Sequence, residues 1–585
     1  MKSHYRTLTV VVLLFSGFIN KSMAQQQEKI MIYQLLPRLF GNKQQSNIPY
    51  GTIAQNGSGK FNDITAQALD GIKELGTTYV WYTGVISHAT LTDYSQAGLP
   101  ANNAQVVKGR AGSPYAVRDY YDVDPDLSVD VNHRMAEFEA LIKRTHEKGL
   151  KVIIDFVPNH VARQYQSKMK PAGVKDFGEG DDVHVAFSPA NDYYYVPGQD
   201  FVVPAPKSGQ QTPLSVLQQV HYAESPAKAT GNNVFSASPS VDDWYETIKL
   251  NYGVDEQNGA KQHFTPTPAV WTKMRDILVF WTSKGVDGFR CDMAEMVPLA
   301  FWNWVIPEVK KVKPELIFIG EAYDPATYKS FLTTGKFDYL YDKVGLYDGL
   351  KKLIRSEDQA DVNDIRKVWQ QESAGFGDQM LRFLENHDEE RIASAGFAGQ
   401  AELALPAMVV SATLSGGPVM TYFGQETGEP GRGAEGFGGE DNRTTIFDYW
   451  GIPEHQKWMN NGAFDGGQLG AQQKELRNYY KRLLQFAGGA EAVAKGQLWE
   501  IPVGGNMNKR MYGYVRYTAN QRLLILVNFD RHYRMESQVQ IPAEILQNRP
   551  LTTAADQLSD LKLTGLKDNT IPIWVLPMQA QIIAF

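Results

Sequence analysis

One pattern recurs along this chain: an amphipathic helix, a glycine that ends it, then an apolar run of strand length. Residues 62–75 place Ile64, Ala68, Ile72 and Leu75 on one helical face and stop at Gly76; Tyr79-Val80-Trp81-Tyr82 follows. Residues 133–148 repeat this with Met135, Phe138 and Ile142, stop at Gly149, and lead into Val152-Ile153-Ile154-Asp155-Phe156. Residues 268–284 carry Trp271, Met274, Leu278 and Trp281, stop at Gly285, and lead into Gly288-Phe289-Arg290-Cys291-Asp292. Strands that are apolar on both faces belong to parallel sheets covered by helices. Five further runs of this kind, at 30–36, 316–320, 337–341, 380–385 and 417–423, bring the number to eight. Eight strands alternating with helices predict an α/β chain built on a (β/α)8 TIM barrel. An open, doubly wound sheet is the alternative. No Gly-x-Gly-x-x-Gly follows the first strand, which argues against dinucleotide binding.

The alternation breaks twice. Between residues 159 and 262 it gives way to Pro, Gly, Asn, Gln and clustered aromatics, including Tyr193-Tyr194-Tyr195, a stretch too long for an ordinary loop. This predicts a domain inserted after the third strand. From residue 491 to 585, short alternating segments such as 511–517 and 522–528 predict a C-terminal antiparallel β-sandwich. The barrel then occupies 25–158 and 263–490. A length of 585 residues, more than one core usually serves, agrees with several domains.

Residues 1–24 read as a secretory signal peptide. Lys2 and Arg6 precede an apolar stretch at 8–19, and Ser22-Met23-Ala24 offers a small-x-small cleavage site. The leader holds no cysteine for a lipid anchor, and its apolar stretch is too short to span a bilayer comfortably. The one cysteine, Cys291, leaves no internal disulfide, which suits an exported chain of a bacterial periplasm. Its place between Arg290 and Asp292 on a strand points its thiol into the packing. An excess of acids, 65 against 58 Lys and Arg, and the lack of a basic run exclude nucleic acid as the expected partner.

Three carboxylates stand just beyond apolar strands: Asp292, Glu321 after Phe318-Ile319-Gly320, and Asp388 in Glu385-Asn386-His387-Asp388. In a barrel, strand C-terminal ends meet at the active face. Acids delivered there suit cleavage of a sugar acetal, in which one attacks carbon, one protonates the leaving oxygen and one steadies developing positive charge. Arg290, two residues before Asp292, faces the same side and should hold that carboxylate ionised. Glu321, emerging from apolar surroundings beside another carboxylate, should have a raised pKa and keep its proton as general acid. A further strand ends in Asp155-Phe156-Val157-Pro158-Asn159-His160. His160 and His387 lack the tight spacing of a zinc helix and fit better as imidazoles hydrogen-bonding sugar hydroxyls.

These four runs, in this order, resemble the signature regions of the alpha-amylase superfamily, glycoside hydrolase family thirteen, over most of residues 30–490. The resemblance implies Asp292 as nucleophile, Glu321 as general acid/base and Asp388 as transition-state stabiliser. Arg290, His160 and His387 would line the subsite beside the cut bond. Tyr115 would stack under its sugar, although Ser113-Pro114 stands where the family usually has His-Gly. The insertion matches the family's B domain and the C-terminal region its C domain. The implied reaction is retaining hydrolysis of α-1,4 and possibly α-1,6 bonds in starch-derived glucans, maltooligosaccharides and pullulan among them. Lys249-Leu250-Asn251 resembles the Lys-Leu-Asn of neopullulanase-type members and marks Lys249 and Asn251 as substrate-binding candidates. Glu295 stands where many amylases carry Lys. The family also implies a structural calcium between barrel and B domain, with Asn159 as one ligand and Met296 at the usual His position, where its carbonyl could serve; no organic cofactor is implied. A transglycosylase or disaccharide isomerase of the same superfamily, and a non-catalytic relative that binds glycan or a partner, remain the alternatives.

Overall fold

The computed structural model describes residues 29–207, 221–437, 439–503 and 509–585; the leader expected at 1–24 lies outside them. Eight parallel strands form the centre: β1 (Met31–Leu35), β2 (Tyr79–Tyr82), β3 (Lys151–Phe156), β4 (Gly288–Cys291), β5 (Ile317–Gly320), β6 (Tyr339–Tyr341), β7 (Met380–Leu381) and β8 (Val419–Tyr422). Each pairs with the next from β1 to β7, and β8 pairs back onto β1 with Met31 opposite Val419. A parallel bridge between Arg382 and Val419 joins β7 to β8, with Arg382 N–H donating to the Pro418 carbonyl at 3.0 Å. The sheet therefore closes on itself, which settles the choice between barrel and open sheet.

The strands are buried almost throughout, as their apolar runs require. The connecting helices include α1 (Ala66–Lys73), α2 (Arg134–Glu147), α3 (Ala269–Ser283) and α4 (Leu299–Lys310). Gly76, Gly149 and Gly285 end the first three, each at positive φ, a conformation that lets the chain turn at once into the next strand. The final helix of the barrel is Ala471–Gly489, whose inner face buries Leu476, Tyr480, Leu483 and Leu484.

Two excursions rise from the strand ends. After β2, Ile86–His88 pairs with Val117–Val123 and carries Tyr115 at its edge. After β3, His160–Ala162 pairs antiparallel with Thr247–Lys249, placing His160 opposite Lys249. Tyr193, Tyr194 and Tyr195 are buried in this insertion and act as packing residues. The C-terminal region is a six-stranded antiparallel sheet over a two-stranded one, with its own apolar core around Leu524, Leu526, Val539 and Ile573. Its strands Met511–Tyr517 and Arg522–Asn528 coincide with the two segments read from the sequence.

Candidate active site

Asp292 follows β4, Glu321 follows β5, and Asp388 stands in the segment after β7. All three line one cavity of about 310 Å³ together with Tyr115, His160 and Trp244. The cavity opens where the strand C-terminal ends meet, as in other barrels of this kind. Gly320 sets the approach of Glu321: a Cβ there would meet Leu340 Cδ2 at 2.8 Å and Phe337 Cε1 at 3.0 Å. A side chain at this position would require Leu340 and the Phe337 ring to shift.

Arg290 organises the acids. It is wholly buried, behind the cavity wall. Its Nη1 donates to Asp292 Oδ1 at 2.8 Å, and its Nη2 lies 2.7 Å from Glu321 Oε2. Nη1 also lies 3.4 Å from Asp155 Oδ1, and Nε donates to the Tyr341 hydroxyl at 3.2 Å. One guanidinium thus grips the two carboxylates that the chemistry pairs, each by a different arm.

Glu321 has further donors. Met293 N–H reaches Oε2 at 2.7 Å, and the Tyr323 hydroxyl donates to Oε1 at 2.5 Å. Met293 takes a left-handed backbone at φ 42°, which turns its amide toward Glu321. Glu295 Oε2 accepts from the amides of Tyr323 and Asp324 and so pins the segment that carries the Tyr323 ring.

The electrostatics differ from the reading of the sequence in one respect. Burial raises the Asp292 carboxyl well above the ordinary carboxylate range; Glu321 and Asp388 push the same way, and Arg290 opposes them. The sequence reading had Asp292 held ionised by Arg290. The burial of Asp292 outweighs its single strong contact with Arg290. Burial also acts on Asp388, but His387, Arg290 and Arg443 overcome it and hold that carboxyl below its usual value. His387 Nε2 lies 2.9 Å from Asp388 Oδ2, and Gln34 Nε2 lies 2.8 Å from His387 Nδ1. His160 is driven down to about 3 by burial, then by Lys249 and Lys108, which favours the neutral ring. Four carboxylates, including Asp155, surround one guanidinium in a buried setting. Such a field favours positive charge at the centre of the cavity.

Tyr115 stands where the resemblance placed it. Its ring stacks on His387 at 5.2 Å between centroids, and its hydroxyl donates to Asp155 Oδ1 at 3.2 Å and meets His387 Nε2. His160 lines the cavity with Trp244 tilted against it at 5.3 Å. Trp244, half-buried, is thus an aromatic residue that the insertion presents to the cavity.

Lys249 and Asn251 stand outside the cavity. Lys249 is buried, and its Nζ donates to Asn159 Oδ1 at 2.7 Å and to the Met296 carbonyl at 3.3 Å. Asn251 donates to the Ser188 carbonyl and accepts from Gly253 N–H, so it shapes a turn of the insertion. Both had been read as substrate-binding; their side chains are spent on the protein itself. Asn159, read as a calcium ligand, offers its oxygen to the Lys249 ammonium and its amide to the Gly231 carbonyl. Calcium requires several oxygen ligands, commonly carboxylates among them. Among the described residues no group of three or more His, Cys, Asp or Glu could hold a metal. The residues at this junction do not fit the ion.

The sequence reading missed Asp155 and Tyr323 as site residues. Asp155 receives Trp81 Nε1–H at 3.0 Å as well as Tyr115 and Arg290. It opens the run that ends in His160, and its register opposite Arg290 is the signal that would have found it. Tyr323 lies two residues after Glu321 with no apolar frame to mark its direction.

Residues 34–461 match the family model described as "Alpha amylase, catalytic domain". The chain belongs to the alpha-amylase family. It is a glycosidase. Among curated relatives, this alpha-amylase family member is 24% identical to Alpha-amylase 3 of Dictyoglomus thermophilum over 441 residues, 71% of this chain and 74% of the relative. It is 22% identical to Neopullulanase 2 of Thermoactinomyces vulgaris over 531 residues, 88% of this chain and 72% of that one. In fold it resembles the alpha-amylase of Geobacillus thermoleovorans, solved in complex with acarbose, with a TM-score of 0.61 at 20% identity, covering 95% of this chain and 98% of that one.

Proposed function

We propose that this glycosidase hydrolyses α-glucosidic bonds in starch-derived oligosaccharides, with retention of anomeric configuration. The observation that carries the reading is the double grip of Arg290 on Asp292 and Glu321. A shared guanidinium holds the two carboxyl groups near each other, which supports the short-separation arrangement of retaining enzymes, about 5–5.5 Å, over the about 6.5–9.5 Å that an inverting pair needs to admit water.

Asp292 attacks the anomeric carbon while Glu321 protonates the departing oxygen. The pair's proton must reside on Glu321 at that moment, so sugar entry has to leave Asp292 ionised. Glu321 then takes a proton from water, and the sugar leaves with α configuration. Asp388, the most exposed of the three acids, is free to accept hydrogen bonds from sugar hydroxyls. Tyr115 supplies a flat face beneath the sugar, and neutral His160 an uncharged hydrogen-bonding ring.

Lys108 Nζ and Glu246 Oε1, both on the cavity wall, pair at 2.9 Å and tie the excursion after β2 to the insertion. Relatives named neopullulanase and cyclomaltodextrinase support testing α-1,6 as well as α-1,4 bonds and cyclic substrates. The leader at 1–24 supports export to a periplasm. Among the described residues no helix is long and apolar enough to cross a membrane.

The test is product analysis on maltooligosaccharides, pullulan, cyclodextrins and sucrose, with the first-formed anomer followed by NMR. Release of α-configured maltooligosaccharides or glucose is expected. A β-configured first product would sink the retaining mechanism. Turnover confined to transfer or to sucrose isomerisation would favour the transglycosylase or isomerase alternative.

A further inference from the structure

The junction between the barrel and the insertion carries a second structural message. Its centre is Lys249, on the strand Thr247–Lys249 that pairs with His160–Ala162. The ammonium is buried and bonds Asn159 Oδ1, from the end of β3, and the Met296 carbonyl, from the segment after β4. One cation thereby ties the insertion to two separate strand ends of the barrel. These are the same two oxygens that the family resemblance offers to calcium.

We infer that the Lys249 ammonium takes the place of a structural calcium in this chain, so that the junction holds together without a metal. Three facts carry this. The cationic centre is built in, covalently attached and buried. It engages both candidate oxygens at hydrogen-bond distance. A dication seeking the same oxygens would have to expel an ammonium of like charge from a buried site, at a Coulomb cost that low local polarity magnifies. The remaining atom of Asn159 confirms the assignment of its oxygen: its amide nitrogen donates to the Gly231 carbonyl, which leaves Oδ1 facing Lys249.

The experiment compares the wild-type enzyme with Lys249→Met, which keeps the length of the stem and removes the charge. Wild-type protein is dialysed against a chelator, analysed for bound calcium, and melted with chelator, with added calcium and with neither. The inference predicts no retained calcium and the same melting temperature in all three. Lys249→Met leaves Asn159 Oδ1 and the Met296 carbonyl buried without a donor and should melt several degrees lower, whether or not calcium is present. Stoichiometric calcium in the wild type, or a melting temperature that falls in chelator and returns with calcium, would overturn the inference. So would a Lys249→Met protein as stable as wild type. Should that variant fail to fold, the wild-type measurements decide alone.

Discussion

Asp292 carries two opposed effects, and a single substitution separates them. Its carboxyl is raised by burial and by its acidic neighbours. At neutral pH the ionised form is therefore less favourable in the folded than in the unfolded chain. That penalty is complete above the raised folded-state value and absent below the ordinary value near 3.8. Asp292→Asn should abolish turnover, by at least about 10³-fold in kcat/KM. It should also raise the melting temperature at neutral pH, with the gain fading as pH falls through the raised folded-state value and gone below about 4. Melting curves across pH check this; a variant less stable than wild type at neutral pH would contradict it. Tyr323→Phe removes one donor from Glu321 and leaves the ring in place. The loss of one hydrogen bond to a charged group, about 1.5 kcal/mol, predicts a fall in kcat/KM of roughly tenfold. Steady-state kinetics beside an unchanged melting temperature would confirm a role in the site and exclude one in the fold.

Among the elements, β5 shows how packing positions chemistry. Gly320 sits against the side chains of Leu340 and Phe337, which would have to shift to admit a methyl group. Gly320→Ala should destabilise the protein by about 1–3 kcal/mol and displace Glu321 with the strand end. Calorimetry and kcat together test it; loss of stability with full activity would show that Glu321 does not depend on this contact. The same scale explains what could be read from the sequence. The strands and their terminating glycines were legible because apolar run and turn are local properties. Asp292, Glu321 and Asp388 were legible because each stands just past such a run. The direction of Lys249 depends on pairing with His160, which lies 89 residues earlier in the chain, so no local pattern gives its partners. Asp155 was passed over because its worth comes from Arg290 on the neighbouring strand and from Tyr115 and Trp81 on other segments. The apolar approach to Glu321 is a local property; the bonds it receives from Met293 and Tyr323 come from a left-handed turn and a ring orientation that no periodicity announces.

At the scale of the whole molecule, the C-terminal sheet is fastened to the barrel through buried polar contacts. Arg516 donates to the barrel's Leu414 carbonyl and to those of Ala492 and Val493, where the C-terminal region begins, and Tyr514 meets Thr413 of the barrel at 2.6 Å. Arg516→Met would remove the Arg516 donor from the Leu414 and Val493 carbonyls, while the Ala492 carbonyl keeps the Gly496 N–H. It should lower the melting temperature and speed proteolysis of the C-terminal region while leaving kcat unchanged, since no Arg516 contact approaches the cavity. Limited proteolysis with parallel assays tests the point; an equal loss of kcat would mean that the seam governs the site. The seam serves the fold, whereas the barrel mouth holds the acids, and the insertion closes over them through Trp244, His160 and the Lys108–Glu246 pair.

The central claim is that Asp292 forms the bond to sugar while Glu321 handles the proton. A fluorinated α-glucosyl fluoride, which slows release of the covalent intermediate, offers a direct measurement: inactivation, digestion and mass analysis of the labelled peptide. A glycosyl adduct on Asp292 is predicted. An adduct on Glu321 or Asp388, or rapid turnover with inversion and no adduct, would contradict the account.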